Sequence, residues 1–326
     1  MATCGVGAGS APSIVYLVQN HRPPAQLARL VRALGTGSTG AFVVVVHDPH
    51  AGLATTAEVE HATDAPVLPT LERARRGYFS LVAPSADAVA WLAALRVGYD
   101  WLVYLSAQDY PARPLAELEA LLARSEADGF LRLWRAFAPG PCWRRHQGEL
   151  RYRLQYRDVG PALLRLLRLV RFLNAWQRWL HLHLAYGPRL GIRPRRSPFE
   201  SGLECWGGTQ WTTLRRAAAE HVAERVLEGG ELVEWFRRTI CPDEALVQTL
   251  LMAEGRFRLV DDDLRYVDFS GCRDGHPRTL RRCDLDSVIA SGRIFARKLD
   301  SAIDPALLDA LDEFRRGCAG SARLHG

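Results

Sequence analysis

The sequence contains no apolar run long enough to cross a membrane and no cysteine pair at metal-site spacing. A spanning helix needs about 20 consecutive apolar residues, and every apolar stretch here is interrupted sooner. None of the seven cysteines forms a Cys-x-x-Cys pair, which argues against a structural zinc site. Residues 1–13 are small and glycine-rich, without the basic and apolar regions of a signal peptide. We therefore expect neither a membrane-spanning nor a secreted protein, and free thiols rather than a disulfide between Cys272 and Cys283.

Acidic residues are outnumbered by basic ones, 36 to 42, which gives a formal charge of +6. Such a balance suits anionic partners, namely nucleotide phosphates, nucleic acid or an acidic membrane, although a soluble basic surface explains it equally well. The length of 326 residues and the 48% apolar content indicate a globular protein with a full core. Two classes of protein remain open: an enzyme with a nucleotide substrate, and a non-catalytic basic protein that docks on membrane or nucleic acid.

Short apolar runs alternate with helical patterns in the first 134 residues. Residues 14–18, 42–46 and 101–105 are typical of buried strands, and amphipathic helices are predicted between them and after the third. This alternation predicts an α/β fold with a mostly parallel, Rossmann-like sheet flanked by helices. Polar residues follow the second and third runs, and open sheets of this kind bind ligands at the carboxyl edge of their strands.

The second half has weaker patterns. Residues 135–160 are rich in Arg, Trp, Gly and Pro and are predicted to be irregular. Helices are predicted over 161–184, 212–227, 243–252, 285–289 and 305–315, and a strand over 264–269.

A basic amphipathic helix is predicted over 161–184. Arg165, Arg168 and Arg171 recur at three-residue spacing among leucines. Such a helix either lies on an anionic membrane or packs on the domain with its arginines outward. We expect at most peripheral membrane contact.

Three strings imitate metal sites. Asp261-Asp262-Asp263 lies in a polar turn, and Asp284-Leu285-Asp286 resembles a helix start, where acidic side chains are favoured. Both are interpreted as structural. His181 and His183, two apart on the predicted helix, are expected to face different directions and not to share a metal.

Four short segments in a fixed order carry the functional signal. They are Leu105–Pro111, Gly207–Trp211, Cys241–Glu244 and Phe295–Asp300. Together they resemble the core-2/I-branching β-1,6-N-acetylglucosaminyltransferases and the related protein O-xylosyltransferases, over about residues 14–300. The resemblance implies a GT-A-type fold and an inverting transfer of N-acetylglucosamine or xylose. The donor is a UDP-sugar, and the acceptor is a hydroxyl on a glycan or glycosylated small molecule.

The resemblance also implies catalytic roles. Glu244 corresponds to the family's general base, the alternative being a helix cap. Lys298 corresponds to a lysine that holds the diphosphate, and Arg278 is the best match for its arginine partner, with Arg281 and Arg282 as alternatives. In this family the two cations replace a metal, so neither a metal nor another cofactor is expected.

The donor and acceptor sites follow from the same resemblance. Asp48 matches the aspartate that binds uracil, and Val18 is expected to line that pocket. Ser106, Gln108 and Asp109 match the loop that shapes the donor site. The expected acceptor-side residues are Trp206, Gln210, Trp211 and Phe269, although each aromatic ring could equally belong to the core.

The implied organisation has five parts. A nucleotide-sugar-binding half spans 14–134, an irregular insertion with the basic helix spans 135–202, and an acceptor-binding and catalytic half spans 203–316. Flexible termini cover 1–13 and 317–326. Animal relatives are Golgi membrane proteins with a stem, whereas this sequence resembles a cytoplasmic, bacterial-type member. No nucleic-acid partner is expected.

Overall fold

The structure is a computed structural model that describes residues 11–138, 143, 146–169, 179–271 and 276–324, without the side chains of Arg168 and of residues 319–324. Its strands are β1 (Ile14–Asn20), β2 (Phe42–His47), β3 (Val67–Pro69), β4 (Trp101–Ser106), β5 (Asp109–Pro111), β6 (Gly129–Leu131), β7 (Trp134–Arg135), β8 (Gln155–Asp158), β9 (Leu180–His183), β10 (Arg189–Ile192), β11 (Trp206–Gly207), β12 (Thr212–Arg215), β13 (Leu259–Asp261), β14 (Arg265–Val267) and β15 (Phe295–Arg297).

Helices lie between most of these strands. They are α1 (Pro24–Gly37), α2 (Thr56–Thr63), α3 (Ala83–Ala94), α4 (Leu115–Arg124), α5 (Gln147–Tyr152), α6 (Pro161–Leu169), α7 (Arg216–Glu228), α8 (Glu231–Phe236), α9 (Leu246–Glu254), α10 (Leu285–Ala290) and α11 (Pro305–Leu324). Single 3₁₀ turns occur at Pro49–Ala51, Phe79–Leu81, Pro198–Glu200, Pro242–Glu244 and Arg282–Asp284. Among the described residues, no helix is both long and apolar enough to cross a membrane.

A seven-stranded sheet in the order β13-β6-β12-β4-β1-β2-β3 forms the centre of the protein. Strands β4, β1, β2 and β3 are parallel to one another, and β12 runs antiparallel to β4 and β6. The predicted α/β fold with a mostly parallel sheet and flanking helices is therefore confirmed.

Alternate residues of β1 belong to two cores on opposite faces of this sheet. Ile14 and Tyr16 face a core with α1, α4, α10 and α11. Val15 and Leu17 face a core with α3, α7 and α9. Because a strand with both faces buried has no polar side, β1 appears in the sequence as a continuous apolar run rather than an alternating one.

The chain changes direction across the sheet between β1 and β4. From β1 it proceeds outward through β2 and β3, then returns to place β4 on the other side of β1. The loops that leave β1 and β4 therefore diverge and open a crevice at the carboxyl edge. Such crevices are where open α/β sheets bind their ligands.

A three-stranded sheet, β14-β15-β5, supports this edge. Strand β15 lies between β14 and β5, and Arg297 pairs with Asp109 in the antiparallel ladder. The C-terminal third of the chain is thereby attached directly to the loop that follows β4.

Three predicted elements are wrong. The irregular region 135–160 contains α5 and β8, and the predicted helix over 212–227 begins only at Arg216, because Thr212–Arg215 form strand β12. The predicted basic helix over 161–184 is described only as far as Leu169, where α6 ends. Residues 170–178, including Arg171, lie outside the described residues. Residues 180–183 form strand β9 instead of helix.

The strand assignment changes the relation of His181 and His183. Residues two apart in a strand share a face, and the two rings lie 6.1 Å apart between centroids. The prediction that they face different directions is therefore wrong. Both rings contact Tyr156. Burial lowers the pKa of His183 to about 4.

Candidate active site

Polar side chains occupy the crevice between β1 and β4. At the ends of the strands, Gln19 pairs with Ser106 and Asn20 pairs with His47. The side-chain amide of Asn20 donates to the backbone oxygen of Arg22 at 3.0 Å, and its oxygen accepts from the Arg22 amide at 3.0 Å. These bonds fix the turn that carries His21 and Arg22 over the crevice.

Asp48 follows β2 and organises the neighbouring loop. One carboxylate oxygen accepts from the His50 amide at 2.9 Å, and the other accepts from the Ala74 amide at 2.9 Å. Burial and the charge of Arg22 lower the pKa of the adjacent His21, whereas Asp48 acts in the opposite direction. The predicted uracil-binding residue thus lies at the crevice.

Val18 does not line this crevice. Its side chain is fully buried, and β1 continues two residues beyond it to Asn20. The prediction for Val18 is wrong because the apolar run ends before the strand does. Gln19 and Asn20 occupy the strand end instead.

Four cations surround the end of β15. We call them the cation group: Arg22, Arg76, Arg297 and Lys298. Burial, followed by the charges of Arg22 and Arg297, lowers the pKa of Lys298, and Arg76 adds to the effect. In the part of the chain that the structure describes, the Lys298 ammonium makes no hydrogen bond or ion pair, although Asp300 is close enough to act on its pKa. Lys298 is also the only lysine in the sequence.

Asp109 is part of the interior rather than of the donor-facing surface. Its carboxylate is fully buried and accepts from the Ser106 amide at 2.7 Å and from Ser106 Oγ at 2.6 Å. The guanidinium of Arg297 donates to it at 3.0 Å, and that of Arg265 lies 3.4 Å away. The prediction that Asp109 contacts the donor is therefore wrong, since these groups already satisfy its charge.

Ser106 and Gln108 form the loop above Asp109. The Ser106 hydroxyl accepts from the Gln108 amide at 3.1 Å and from Arg297. The Gln108 side chain is buried, and its amide nitrogen has no protein partner among the described residues. These two residues remain candidates for shaping the donor site.

Arg278 is committed to two carboxylates. It forms a bidentate pair with Asp284, at 2.8 and 2.6 Å, and donates to Asp268 at 2.6 Å. The hydrogen bonds that Arg278 donates to Asp284 raise the pKa of Arg278. In this structure the guanidinium is held by these two carboxylates, and its contact with the diphosphate stays a prediction.

Glu244 lies in the turn after Cys241 and is partly exposed. Arg151 forms an ion pair with its carboxylate, and Arg151 itself packs over the ring of Trp143 at 5.0 Å. The backbone oxygen of Glu244 accepts from the Gly208 amide at 2.8 Å. Side chain and backbone are therefore both held, and the role is not that of a helix cap: α9 begins two residues later, at Leu246.

Asp243, beside Glu244, is buried and has an oxygen without a protein partner among the described residues. Burial and the charge of Glu244 raise the pKa of Asp243 to about 7. A buried carboxyl group with a raised pKa is a candidate acid, and Asp243 lies directly beside the predicted base.

A cleft of about 590 Å³ is lined by Tyr186, on whose pKa the charge of Glu244 acts, although Glu244 itself is not among the lining residues. The Cys241 amide donates to the Gly77 oxygen at 3.2 Å, and this contact joins the two loops. Gly77 has φ of +80°, and a Cβ there would lie 2.6 Å from the ring of Tyr186, so only glycine allows this approach. We call the cleft the basic cleft; it is lined by Arg73, Ala74, Arg75, Arg76, Ala185, Tyr186 and His276.

The predicted acceptor-side residues do not share one surface. Trp211 is buried against Arg297, whose guanidinium carbon lies 4.3 Å from the ring centroid, and against Tyr104. Gln210 donates to Gln19 at 2.8 Å, which places it behind the crevice. Trp206 is half-buried in β11, and Phe269 is 55% exposed. Only Phe269 presents an open ring.

Sequence reasoning missed His21, Arg22, Arg76, Arg151 and Arg297. Arg297 precedes Lys298 in one of the diagnostic segments, and Arg76 belongs to an arginine-rich run, so both had a local signal. The other three are placed by tertiary contacts that no local pattern indicates.

The acidic strings do not form a metal site. Asp261 faces Arg132, and Asp262 faces Arg293. Asp284 is held by Arg278. Among the described residues no group of three or more His, Cys, Asp or Glu side chains is placed to bind a metal. These residues therefore do not fit a metal-ligand set.

Comparison with protein families identifies the chain. The model for the Core-2/I-Branching enzyme family matches residues 14–132 and 177–288. The chain belongs to this family. The prediction of a GT-A-type fold is thereby confirmed, and membership of this family supports the predicted UDP-sugar glycosyltransferase rather than a non-catalytic binding protein. Lys298 lies beyond the matched residues. No curated protein sequence matches the chain.

Solved structures give a distant likeness. Glucosyl-3-phosphoglycerate synthase from Mycobacterium tuberculosis with Mn²⁺, UDP and glucosyl-3-phosphoglycerate is 12% identical, with a TM-score of 0.30, over 64% of this chain and 58% of that one. The same enzyme with Mn²⁺, UDP-glucose and phosphoglyceric acid is 14% identical, with a TM-score of 0.30, over 64% and 57%. The chain thus spans less than two thirds of their length.

These structures contradict one prediction. They contain Mn²⁺ together with UDP or UDP-glucose, so the prediction that no cofactor takes part is wrong. At this identity and TM-score, the likeness carries no argument about substrate.

Proposed function

We propose that this family member transfers a sugar, N-acetylglucosamine or xylose, from a UDP-sugar to a hydroxyl of a glycan or glycosylated small molecule, with inversion. The observation that carries the proposal is the placement of Glu244 beside the basic cleft. Tyr186, which lines the cleft, has a pKa that burial raises to about 12 and on which both Glu244 and Arg76 act. Because Glu244 and Arg76 both act on Tyr186, a base for the acceptor hydroxyl and a cation for the diphosphate lie close to the same cleft.

The donor nucleotide fits the crevice between β1 and β4. Asp48 accepts one backbone N–H on each carboxylate oxygen. An ionised carboxylate has about four lone-pair sites, so it can still accept the ring N–H of uracil. His21 and Arg22 lie over the same edge and supply polar contacts to the ribose and phosphates.

The diphosphate belongs to the cation group. Lys298 carries an ammonium without an ion-pair partner in the described residues, and burial, followed by the repulsion of neighbouring cations, lowers its pKa. An anion placed there relieves that repulsion. Arg76 is its proposed partner in place of Arg278, because its guanidinium carbon lies 4.8 Å from the ring centroid of Tyr186 in the basic cleft and its charge acts on the pKa of Lys298. Charge on the leaving UDP is then stabilised as it develops.

Glu244 acts as the general base. Arg151 fixes its carboxylate, and the acceptor hydroxyl approaches from the basic cleft. As that oxygen attacks the anomeric carbon, its proton moves to Glu244 and the bond to the β-phosphate oxygen breaks. Attack from the side opposite UDP inverts the configuration. Positioned proton transfer of this kind contributes about 10²–10⁴-fold to the rate.

Glu244→Gln tests the assignment. We expect the variant to bind UDP within about twofold of the wild type, because the amide keeps the shape of the carboxylate. It should lose about 10²–10⁴-fold in turnover. UDP release is measured over a panel of UDP-sugars and sugar acceptors, with Mn²⁺ present, and UDP binding by calorimetry.

Glu204→Gln is the matched control, since Glu204 also pairs with an arginine, Arg135, at 3.0 Å but lies outside the proposed machinery. It should keep wild-type turnover. Turnover by the Glu244 variant equal to that of the control would assign the base to another residue.

A further inference from the structure

Gln26, in the first turn of α1, joins two loops of the candidate site. Its side-chain nitrogen donates to the Ala107 oxygen at 2.8 Å and to the Leu299 oxygen at 3.1 Å. Its side-chain oxygen accepts from the Ser301 amide at 2.7 Å. A glutamine amide has two N–H groups and one oxygen, so all of its hydrogen-bonding groups are used. Each of these bonds connects α1 to a loop at least 81 residues away in the chain.

The two loops carry the residues that the proposed function assigns to the donor. Ala107 lies between Ser106 and Gln108, and Leu299 directly follows Lys298. The Leu299 amide donates to the Gln108 oxygen at 2.9 Å, so the loops also contact each other. Leu299 is therefore bonded through its amide to one loop and through its oxygen to α1.

The main chain around Lys298 is held on both sides, whereas its side chain is not. The Lys298 oxygen accepts from the Leu280 amide at 2.8 Å, and Asp300 pairs with Arg22 at 3.2 Å. The ammonium itself makes no hydrogen bond or ion pair within the described part of the chain. A side chain on a fixed main chain binds a ligand with less loss of conformational freedom.

Packing alone already attaches both loops to the protein. The side chains of Ala107 and Leu299 are buried in the core that also contains the leucines of α1. The loops therefore do not need Gln26 to stay in contact with the fold. What the three hydrogen bonds of Gln26 add is a fixed separation between the Gln108 loop and the main chain of Lys298.

We propose that Gln26 is a positioning residue for donor binding, which holds the main chain of Lys298 where its ammonium meets the diphosphate. The inference rests on the proposed function, which assigns the diphosphate to Lys298. Gln26 itself does not touch the donor and acts through Lys298. Charge-assisted hydrogen bonds are short, about 2.7–2.9 Å, so a small displacement of the lysine weakens the contact.

Calorimetry with uridine and with UDP tests this role. Uridine lacks the diphosphate, so the dissociation constant of uridine divided by that of UDP isolates the diphosphate contribution. Gln26→Met keeps the side-chain length but makes no hydrogen bond. We expect its uridine affinity to stay within about twofold of the wild type, and its ratio to be at least about threefold smaller, because a charged hydrogen bond is weakened. A general loss of structure would weaken the binding of both ligands.

A double variant shows whether Gln26 acts through Lys298. In a Lys298→Met background, Gln26→Met should change the ratio by less than about twofold, because the residue that it positions is gone. Gln155→Met is the matched control. Gln155 is also partly buried, and its side-chain amide donates to the Trp235 oxygen at 3.2 Å, outside the proposed machinery. This control should keep the affinities of the wild type for both ligands.

Thermal unfolding shows whether the variants fold, and Gln26→Asn, whose amide is one methylene shorter, replaces Gln26→Met if that variant does not. An unchanged ratio in the Gln26 variant, when Lys298→Met lowers it, overturns the inference and leaves the proposed function standing. Losses that add in the double variant also overturn it. If the wild type binds UDP no better than uridine, or Lys298→Met keeps the wild-type ratio, the assignment of the diphosphate to Lys298 fails as well.

Discussion

Asp109 gives the sharpest test of how the candidate site is built. Asp109→Asn removes a negative charge that lies between Arg265 and Arg297 while leaving the shape almost unchanged. Arg265 and Asp109 are both fully buried, with Nε and Oδ1 3.4 Å apart. At an effective dielectric constant of about 20, that separation corresponds to an attraction of about 5 kcal/mol, and breaking buried pairs typically costs about 3–5 kcal/mol.

We therefore expect Asp109→Asn to lower the free energy of unfolding by about 3–5 kcal/mol. A domain has about 5–15 kcal/mol in total, so the loss is a large fraction. Urea unfolding followed by tryptophan fluorescence measures it; Trp211 packs against Arg297 and reports locally. Glu126→Gln is the matched control. Its carboxylate is 85% exposed and pairs with Arg258 at 2.8 Å, so the change should cost less than about 1 kcal/mol.

A double variant completes this experiment. Arg265→Met alone leaves Asp109 with Arg297 only, and Asp109→Asn/Arg265→Met removes both buried charges. Since an uncompensated charge is what costs most, the double variant should lose clearly less than the sum of the single losses. Losses that simply add, or an Asp109→Asn variant as stable as Glu126→Gln, would refute this reasoning.

Two further predictions concern pH and the diphosphate. Burial raises the pKa of Asp243 to about 7, against about 3.9 in an unfolded chain; between these values the folded protein holds a proton that the unfolded chain has lost. The free energy of unfolding of the wild type should therefore fall as pH rises from about 4 to about 7. Urea unfolding at several pH values should show that Asp243→Asn lacks this part of the decline. Parallel pH profiles of the two proteins would contradict the assignment. Lys298→Met should weaken UDP binding by about tenfold or more, the usual effect of losing a charged hydrogen bond, whereas Arg278→Met should leave it within about twofold in calorimetry. Equal losses in both variants would return Arg278 to the diphosphate.

The sequence predicts the elements whose pattern is local and strong. Strands β1, β2 and β4 are apolar runs because both faces of the sheet are covered, and α1 begins at a proline with its leucines on one face. Strand β12 escaped prediction because Thr212–Arg215 lead into α7 without a break, and only pairing with β4 and β6 makes them extended.

The site was predicted in part, for a similar reason. Motif spacing indicates Glu244 and Lys298, but it cannot show which partner an arginine meets. Arg278 is captured by carboxylates six and ten residues away, while Arg76 reaches the cleft from a loop far away in the chain. Partners of charged side chains are set by tertiary packing, which is why the sequence offered Arg278, Arg281 and Arg282 but not Arg76.

Lys298 has a consequence for chemical labelling. Of the 42 basic residues it alone is a lysine, so the folded chain offers a single side-chain amine, and that amine lies at the proposed diphosphate site. Because its lowered pKa leaves more of it unprotonated near neutral pH, an amine-selective acylating reagent modifies this position and the α-amino group alone. Bound UDP should shield the side chain, which makes mass spectrometry of a single peptide a direct reading of donor-site occupancy.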